Sequence, residues 1–308
     1  MDYFIGIDIG GTFVKMAVVN EHGTISNFEK FHTRTWVESS DGFISKFKSQ
    51  LKEYLHDHPN INKVGIGVPG LVDLKRRTIL EVPAIPQING LNLHSSLKDQ
   101  FPAVSFVIEN DAGAAAIGEV VFRKSRVPDD FIFLTIGTGI GGAAIMDRQL
   151  FMGAGGNSME FGHCISRDQK HLEDLTAKRG ILAYASSVIE KFPDSSLQNK
   201  EIKIPLLVEA AQSGDEFASH VFEYTGFLLG EGLVAPIRIM DIKHIIIGGG
   251  ISVAYEFILT GVKQALDKYL TPYYLNELEI EKAELGNNAG LIGAVGPFLF
   301  PGITVVHS

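Results

Sequence analysis

Residues 4–12 read FIGIDIGGT, an apolar strand pattern that carries one aspartate and then turns on two consecutive glycines. A similar stretch, FIFLTIGTG, occupies residues 131–139. Each copy leads into a short apolar stretch, residues 13–19 and 140–145, whose length and β-rich composition favour a strand over a helix. Each copy therefore predicts a β-hairpin, and two copies so far apart predict two lobes of similar plan.

Strand and helix patterns alternate along the rest of the chain. This alternation predicts an α/β protein. Apolar residues at helical spacing identify the helices, and short β-rich runs identify the strands. The predicted strands lie over residues 63–68, 104–109, 243–247 and 278–285, and the predicted helices over 40–56, 205–240, 254–269 and 289–298.

Composition and charge restrict the class of protein. The chain has 308 residues, of which 45% are hydrophobic and 20% charged, the balance of an ordinary globular protein. A net charge of −9 argues against a general nucleic-acid or anionic membrane surface. The single cysteine, Cys164, excludes an internal disulfide and favours a reducing compartment. With no signal peptide or membrane-length apolar run visible, we expect a cytoplasmic protein with no nucleic-acid or membrane partner.

The repeated stretches place glycines and threonines at the tips of the predicted hairpins. We call residues 10–12 the first glycine turn and residues 137–139 the second glycine turn. Backbone N–H groups beside glycine, together with threonine hydroxyls, are suitable donors for triphosphate oxygens. The glycines of residues 137–142 lead into a strand, which excludes a dinucleotide fingerprint, because that motif requires a helix. Two hairpins that merely need glycine are the alternative.

Asp8 and a run of three glycines extend this nucleotide hypothesis. A carboxylate at Asp8 is suited to the Mg²⁺ of bound ATP, held through water, although aspartate also closes ordinary turns. Gly248, Gly249 and Gly250 follow a predicted strand. Bare backbone at that point would let a nucleoside approach closely, and an ordinary strand-to-helix turn explains only one of the three glycines.

Asn110 and Asp111 end a predicted strand just where a helix of small residues begins, in the stretch VIENDAGAAAIGE over residues 107–119. Both residue types are preferred N-caps, so capping is one explanation. One cap suffices, however, and a carboxylate kept ionised by the helix dipole can act as a general base. We therefore expect Asp111 to be the base.

Acidic and imidazole side chains form a second candidate group. Glu160 and His163 are three residues apart and face the same way if the backbone is locally helical. Glu173 follows ten residues later. Carboxylates and imidazoles are suited to bind the hydroxyls of a polyhydroxy substrate, and a solvated charged face is the alternative.

These residues together give the chain a resemblance to the ROK family of sugar kinases and repressors, within the actin-like ATPase superfamily. Residues 8–12 are similar to the first phosphate motif of that family, residues 134–139 to the second, and residues 247–250 to the adenosine motif. Residues 109–111 are similar to its catalytic stretch and residues 160–163 to its sugar-binding stretch.

The resemblance implies a two-lobed actin-like ATPase (ribonuclease H-like) fold with the active site in the interlobe cleft. It implies an N-terminal lobe of residues 1–118, joined by a C-terminal helix over 289–303, and a C-terminal lobe of residues 119–288. It also assigns Asp111 as the base and predicts which residues bind each substrate. The sugar would be bound by Asn110, Asp111, Glu160, His163 and Glu173, and ATP with its Mg²⁺ by Asp8, Gly10, Gly11, Thr12, Thr135, Gly137, Thr138, Gly139, Gly248, Gly249 and Gly250.

One segment departs from the family pattern. Family members usually carry a cysteine-rich zinc loop after the Gly-His pair, whereas here the segment 164–170 is short and holds one cysteine. His163, Cys164, Asp168 and His171 are the available alternative ligands, but structural zinc sites favour four Cys and His ligands. We therefore expect no structural zinc, and a loop that is ordered by packing.

The function implied by this resemblance is an ATP-dependent hexose kinase that transfers the γ-phosphate to the 6-hydroxyl. Glucose is the first choice of hexose; fructose, mannose, an N-acetylhexosamine or a β-glucoside are alternatives. A repressor is disfavoured because the first motif begins at Asp8, which leaves no room for a DNA-binding domain. A catalytically dead sugar sensor is disfavoured because Asp8, Asp111 and both glycine turns are intact. The resemblance also implies a homodimer.

Overall fold

The strands of the protein are short and distributed along the whole chain. The computed structural model describes residues 2–304. The strands are β1 (Tyr3–Ile9), β2 (Phe13–Asn20), β3 (Ile25–His32), β4 (Lys63–Val68), β5 (Leu71–Val72), β6 (Ile79–Glu81), β7 (Ser105–Asn110), β8 (Phe131–Ile136), β9 (Ile140–Met146), β10 (Gln149–Leu150), β11 (His244–Gly248) and β12 (Glu279–Lys282).

The helices alternate with these strands, which confirms the predicted α/β class. They are α1 (Thr33–Val37), α2 (Gly42–Asp57), α3 (Leu93–Gln100), α4 (Asp111–Phe122), α5 (Leu172–Thr176), α6 (Lys178–Val188), α7 (Ile204–Gln212), α8 (Glu216–Met240), α9 (Tyr255–Tyr269), α10 (Pro272–Leu275), α11 (Ala289–Gly293) and α12 (Gly296–Leu299). Within the described residues, no helix is both long enough and apolar enough to span a membrane.

Two predicted helices are interrupted. The helix predicted over 205–240 is broken because Gly214 has a φ of 86° and Asp215 caps α8 by accepting the Ala218 N–H at 3.1 Å. The helix predicted over 289–298, and extended to residue 303 in the lobe assignment, is wrong as one element. Pro297 has no N–H to donate to the Gly293 carbonyl oxygen, and it lies in the first turn of the separate helix α12.

The chain folds as two compact units. Unit 1 comprises residues 2–129, 143–158 and 287–304, and unit 2 comprises residues 130–142 and 159–286. The predicted lobes of residues 1–118 with 289–303 and of residues 119–288 differ from these units mainly at residues 119–129 and 143–158. The segment 143–158 belongs to unit 1 although it follows the second repeated stretch.

The five-stranded sheet of unit 1 has the order β3-β2-β1-β4-β7. β1 and β2 form the predicted antiparallel hairpin, while β1, β4 and β7 run parallel. Asp8 lies opposite Gly67, which in turn lies opposite Glu109. Since neighbouring strands are about 4.8 Å apart, the ends of β1 and β7 lie about 10 Å apart at one edge of the sheet. The predicted Mg²⁺ carboxylate and the predicted base therefore share that edge.

The small residues of α4 are explained by close helix packing in unit 1. A Cβ placed on Gly293 of α11 would lie 1.8 Å from the Ala114 carbonyl oxygen, so the two backbones touch. Ala112, Ala114 and Ala116 are all buried. Larger side chains along this helix would force α11 away from the sheet.

The second five-stranded sheet repeats the same plan, with the order β10-β9-β8-β11-β12. In both sheets three consecutive strands lie side by side, and two later strands extend the other side in parallel. Gly248 at the end of β11 lies opposite Thr135 near the end of β8. The internal repeat therefore predicts the sheet topology correctly, because both copies form the first two strands of a sheet.

The long helices α8 and α9 of unit 2 also touch at glycines. A Cβ on Gly226 would lie 1.9 Å from the Ile258 carbonyl oxygen, and one on Gly261 would lie 1.8 Å from the Glu223 carbonyl oxygen. The backbones of the two helices are thus in contact. A glycine is required at both positions, because any side chain would separate the helices.

We expect Gly261→Ala to lower the free energy of unfolding by about 2 kcal/mol. An approach of 1.8 Å to a backbone carbonyl oxygen places the cost of separating the helices at the upper end of the usual range, about 3 kcal/mol, and the gain in helix propensity offsets about 1 kcal/mol of it. Gly155→Ala is the control, since an added Cβ there has no heavy atom within 4 Å. Urea denaturation measures both variants, and equal stabilities would contradict this account of the helix contact.

Candidate active site

Asn110, at the end of β7, is the N-cap of α4. Its Oδ1 accepts the N–H groups of Ala112 at 3.0 Å and Gly113 at 3.1 Å, and its Nδ2 donates to the Gly70 carbonyl oxygen at 2.9 Å. The capping explanation is therefore correct for Asn110, whereas Asp111 is the first residue of the helix. The N-cap position alone therefore does not account for the side chain of Asp111.

Asp111 is the first residue of α4 and is partly buried. Its Oδ1 accepts the Ala112 N–H at 2.8 Å, which fixes the direction of the carboxylate. A Cβ placed on Gly290 would lie 3.5 Å from Asp8 Oδ1 and 3.7 Å from the Asp111 carbonyl oxygen. Asp8 and Asp111 thus both border Gly290, and the fold brings together two residues that are far apart in sequence.

The first glycine turn connects β1 to β2. Gly10 donates its N–H to the Phe13 carbonyl oxygen at 2.9 Å, which closes the turn. Gly11 and Thr12 are exposed at its tip. Exposed backbone and hydroxyl donors of this kind can bind an anion, and a phosphate at this turn stays a prediction.

Lys15 is a charged residue at this turn that sequence reasoning missed. It lies opposite Asp8 in the β1–β2 register. Its Nζ donates to Asp8 Oδ2 and to the Asn287 carbonyl oxygen, both at 2.9 Å. The Lys15 and Asp8 side chains are only 12% and 16% exposed, so the ammonium partly neutralises the carboxylate. The alternation of the β2 pattern gives no sign of this pairing.

Arg76 and Glu109 form a second missed contact, next to the predicted base. The Arg76 Nε lies 2.9 and 3.1 Å from the two carboxylate oxygens of Glu109, and its Nη1 donates to the Gly156 carbonyl oxygen at 2.6 Å. Glu109 also accepts the Asn110 N–H at 2.8 Å. Burial raises the pKa of the Glu109 carboxyl, and Arg76 and the Asn110 N–H act in the opposite direction. The pair fixes the strand end from which Asn110 and Asp111 project.

The second glycine turn follows β8 in unit 2. Gly137 donates its N–H to the Gly139 carbonyl oxygen at 2.9 Å and accepts the Lys178 N–H at 3.0 Å. A Cβ on Gly137 would have no heavy atom within 4 Å, and Thr138 is exposed. The turn is thus held by backbone contacts and leaves open space on one side.

The glycine triplet lies beside this turn. A Cβ on Gly249 would lie 2.7 Å from Thr135 Oγ1 and 2.4 Å from the Ile136 carbonyl oxygen. Gly249 also has a φ of 86°, a left-handed conformation that favours glycine. The predicted adenosine and phosphate residues Gly248 and Thr135 are therefore neighbours at one sheet edge.

Glu160, His163 and Glu173 are brought together, as predicted. His163 Nδ1 lies 3.3 Å from Glu160 Oε2, and His163 Nε2 lies 3.6 Å from Glu173 Oε1. The 3₁₀ turn Phe161–His163 produces the first contact. Burial raises the pKa of the Glu160 carboxyl, while His163 lowers it and the Glu173 carboxylate raises it. We call these three residues the carboxylate–imidazole group.

Glu173 links this group to the second glycine turn. Its Oε2 accepts the Ile140 N–H at 3.3 Å and would lie 2.7 Å from a Cβ on Gly139. One side chain therefore contacts both a predicted sugar-binding residue and the predicted phosphate turn. The ordinary helical spacing of Glu173 in the sequence gives no signal for this second contact.

The predicted site residues are thus divided between the two units. Unit 1 holds Asp8, the first glycine turn, Asn110 and Asp111. Unit 2 holds the second glycine turn, the glycine triplet and the carboxylate–imidazole group. Within each unit, the predicted residues are neighbours.

Proteins of known sequence are similar to this chain over nearly its whole length. The sequence pattern of the ROK family matches residues 4–298. A glucokinase from Thermotoga maritima is 28% identical over 307 aligned residues, which cover 94% of this chain and 95% of the relative. A beta-glucoside kinase from Listeria monocytogenes is 31% identical, with 95% of this chain and 96% of the relative covered.

A solved structure agrees with the fold. The crystal structure of a ROK family glucokinase from Streptomyces griseus, in complex with glucose and AMPPNP, superposes with a TM-score of 0.82. It is 29% identical and covers 96% of this chain and 98% of its own. Since the family pattern covers residues 4–298, this chain belongs to the ROK family.

Proposed function

We propose that this protein is an ATP-dependent hexose kinase that transfers the γ-phosphate of ATP to the 6-hydroxyl of a hexose, with glucose as the preferred acceptor. The main support for the proposal is the position of Glu173. This residue contacts His163 within the carboxylate–imidazole group and also contacts the second glycine turn. This is the arrangement that a sugar hydroxyl site next to a phosphate site requires. The similarity to a glucokinase that binds glucose and AMPPNP supports the same chemistry.

Asp111 acts as the general base in the proposed reaction. It accepts the proton of the 6-hydroxyl while that oxygen forms a bond to the γ-phosphorus. The bond between the γ-phosphorus and the bridging oxygen breaks, and ADP leaves with the bonding electrons. Asn110 keeps one amide N–H beyond its bond to Gly70, which can donate to a sugar hydroxyl.

The two glycine turns hold the phosphates in this proposal. Backbone N–H groups and the hydroxyls of Thr12, Thr135 and Thr138 donate to phosphate oxygens, which develop charge during transfer. Gly248, Gly249 and Gly250 face the nucleoside. Lys15 adds a positive charge beside the first turn.

The residues around Asp8 fit a magnesium ion that is held mainly by ATP. Lys15 donates to Oδ2 of Asp8. The other oxygen, Oδ1, lies on the side of Gly290, where a Cβ added to the glycine would be 3.5 Å from it. A single carboxylate with substrate phosphates and water is a usual environment for Mg²⁺. When bound, Mg²⁺ neutralises phosphate charge.

The residues around Cys164 do not fit a structural zinc ion. Across residues 2–304, no group of three or more His, Cys, Asp or Glu side chains is arranged to hold a metal. Both ring nitrogens of His163 face carboxylates. Independence from zinc stays a prediction, as do the homodimer and the cytoplasmic location.

A β-glucoside kinase is the second candidate, because the 31% identical relative from Listeria monocytogenes has that name. An assay of ADP release with glucose, fructose, mannose, N-acetylmannosamine, N-acetylglucosamine and a β-glucoside distinguishes the acceptors. We expect the highest kcat/KM with glucose. A higher value with the glucoside would favour the second candidate, and no ADP release above the sugar-free rate with any acceptor would refute the kinase.

Substitution of Asp111 tests the assignment of the base. We expect Asp111→Asn to lower kcat by roughly 10²–10⁴, the usual effect of losing a general base. Its stability should stay close to that of the wild type, because the cap belongs to Asn110. Steady-state kinetics and thermal unfolding measure both quantities.

Asn110→Ala is the matched control for this test. It removes the N-cap and should cost about 1 kcal/mol of stability. Wild-type turnover by a well-folded Asp111→Asn variant would show that Asp111 is not the base.

Glu160→Gln and Glu173→Gln should weaken the binding of sugar more than that of nucleotide. Each variant loses a charge-assisted hydrogen bond, on the order of 1.5–3 kcal/mol. Glu160→Gln is the cleaner test, because Glu173 also contacts the second glycine turn. Calorimetry with glucose and, separately, with AMPPNP measures both affinities; unchanged sugar affinity in both variants would place these residues outside the sugar site.

The pH dependence of sugar binding follows from the raised pKa of Glu160. Protonation removes a hydrogen-bond acceptor, so affinity is full above this pKa and falls as the pH decreases through it. The decrease should therefore begin at a higher pH than an ordinary glutamate would produce. The Glu160→Gln variant should lack this component, and identical profiles for the two proteins would exclude Glu160 as its origin.

A further inference from the structure

The segment between His163 and His171 forms a small closed loop. Leu172 donates its N–H to the Cys164 carbonyl oxygen at 2.9 Å, and Ser166 donates to the Lys170 carbonyl oxygen at 2.8 Å. At the tip, Asp168 and Gln169 have φ values of 55° and 58°. Non-glycine residues adopt this left-handed conformation only when surrounding contacts hold them there.

Arg167 connects this tip to α8. Its Nε and Nη2 donate to the two carboxylate oxygens of Glu231 at 2.8 and 2.6 Å. Tyr269, the last residue of α9, donates its hydroxyl to the same carboxylate at 2.9 Å. The guanidinium also lies 5.5 Å from the centre of the Phe227 ring. Two hydrogen bonds to Glu231 and the Phe227 ring therefore hold Arg167, and the Tyr269 hydroxyl holds its partner Glu231.

The next residue of α8 supports both ends of the loop. A Cβ on Gly232 would lie 2.8 Å from a methyl group of Leu172 and 3.1 Å from the Phe161 ring. Phe161 and Leu172 are buried, and each is adjacent in sequence to a member of the carboxylate–imidazole group, Glu160 or Glu173. The residues of α8 around 227–232 thus contact the loop at its tip and at both ends.

We propose that Arg167 is a positioning residue for the sugar site. Its two hydrogen bonds to Glu231 fix the loop that joins His163 to Glu173, and the fixed loop sets the distances within the carboxylate–imidazole group. This inference rests on the proposed function of that group in binding sugar. Arg167 itself contacts neither substrate. It acts through the loop, which carries the residues that do.

The strength of this contact follows from its geometry. Isolated surface ion pairs contribute little, but paired hydrogen bonds within a network are the exception. Arg167 is 43% exposed, whereas Glu231 is 19% exposed and held by Tyr269 as well. The ion pair lies in the segment where other members of the family usually carry a zinc loop. The residues of this segment do not fit zinc, and side-chain contacts hold the loop.

Kinetics of Arg167 and Glu231 variants test the inference. We expect Arg167→Ala and Glu231→Gln each to raise the KM for glucose about tenfold, with the KM for ATP within about twofold of the wild type. Arg167→Lys keeps the charge but loses the paired hydrogen bonds of the guanidinium, so it should show most of the increase in the KM for glucose. The double exchange Arg167→Glu with Glu231→Arg restores the pair and should recover most of the sugar KM. A zinc chelator in excess Mg²⁺ should leave the wild-type sugar KM unchanged.

Arg179→Ala is the matched control. Arg179 is 84% exposed and makes a single 2.6 Å contact with Asp174, close to Glu173 but outside the loop. We expect no change in its sugar KM. The inference is wrong if Arg167→Ala shifts the sugar KM no more than Arg179→Ala does, or shifts both substrates equally. A wild-type protein that phosphorylates no sugar would instead refute the proposed function.

Discussion

The parallel register of β1, β4 and β7 is the constraint on which the arrangement of Asp8, Asn110 and Asp111 in unit 1 depends. Parallel strands end at the same edge of a sheet, so Asp8 and the Asn110–Asp111 pair meet there although about a hundred residues separate them. The glycines of α11 let that helix lie against α4 and against this edge. A larger side chain at Gly293 would separate α11 from α4, and Gly290, which borders Asp8 and Asp111, would move with it.

The same edge concentrates charge, and the fold compensates for it. Lys15 pairs with Asp8, and Arg76 pairs with the buried Glu109 beneath Asp111. A buried carboxylate without a partner is strongly unfavourable, so each acidic residue at this edge requires a nearby cation or hydrogen-bond donor. Asn110 and Asp111 also occupy different positions in the helix, since Asn110 is the N-cap of α4 and Asp111 is its first residue.

In unit 2, α8 supports the segments that carry the carboxylate–imidazole group. It touches α9 backbone to backbone at Gly226, packs against Phe161 and Leu172 at Gly232, and holds Arg167 at Glu231. These contacts support the two chain segments that bear Glu160, His163 and Glu173. Since Glu173 also contacts Ile140, a shift of this support would reach the second glycine turn. The residues proposed to bind sugar and those proposed to bind phosphate in this unit are therefore linked through direct contacts.

The sequence alone determined the α/β class, the two similar sheets and the grouping of Glu160 with His163, because these depend on local spacing and on a repeated pattern. The sequence also included Glu173 in this candidate group, and the fold brings its carboxylate to His163 although ten residues separate the two. The sequence did not reveal Lys15–Asp8, Arg76–Glu109 or Arg167–Glu231, since each pair joins residues whose separate patterns are ordinary. It also left open which of Asn110 and Asp111 caps the helix. Tertiary structure decided these points, because ion pairs and caps depend on distances between strands and helices that only packing fixes.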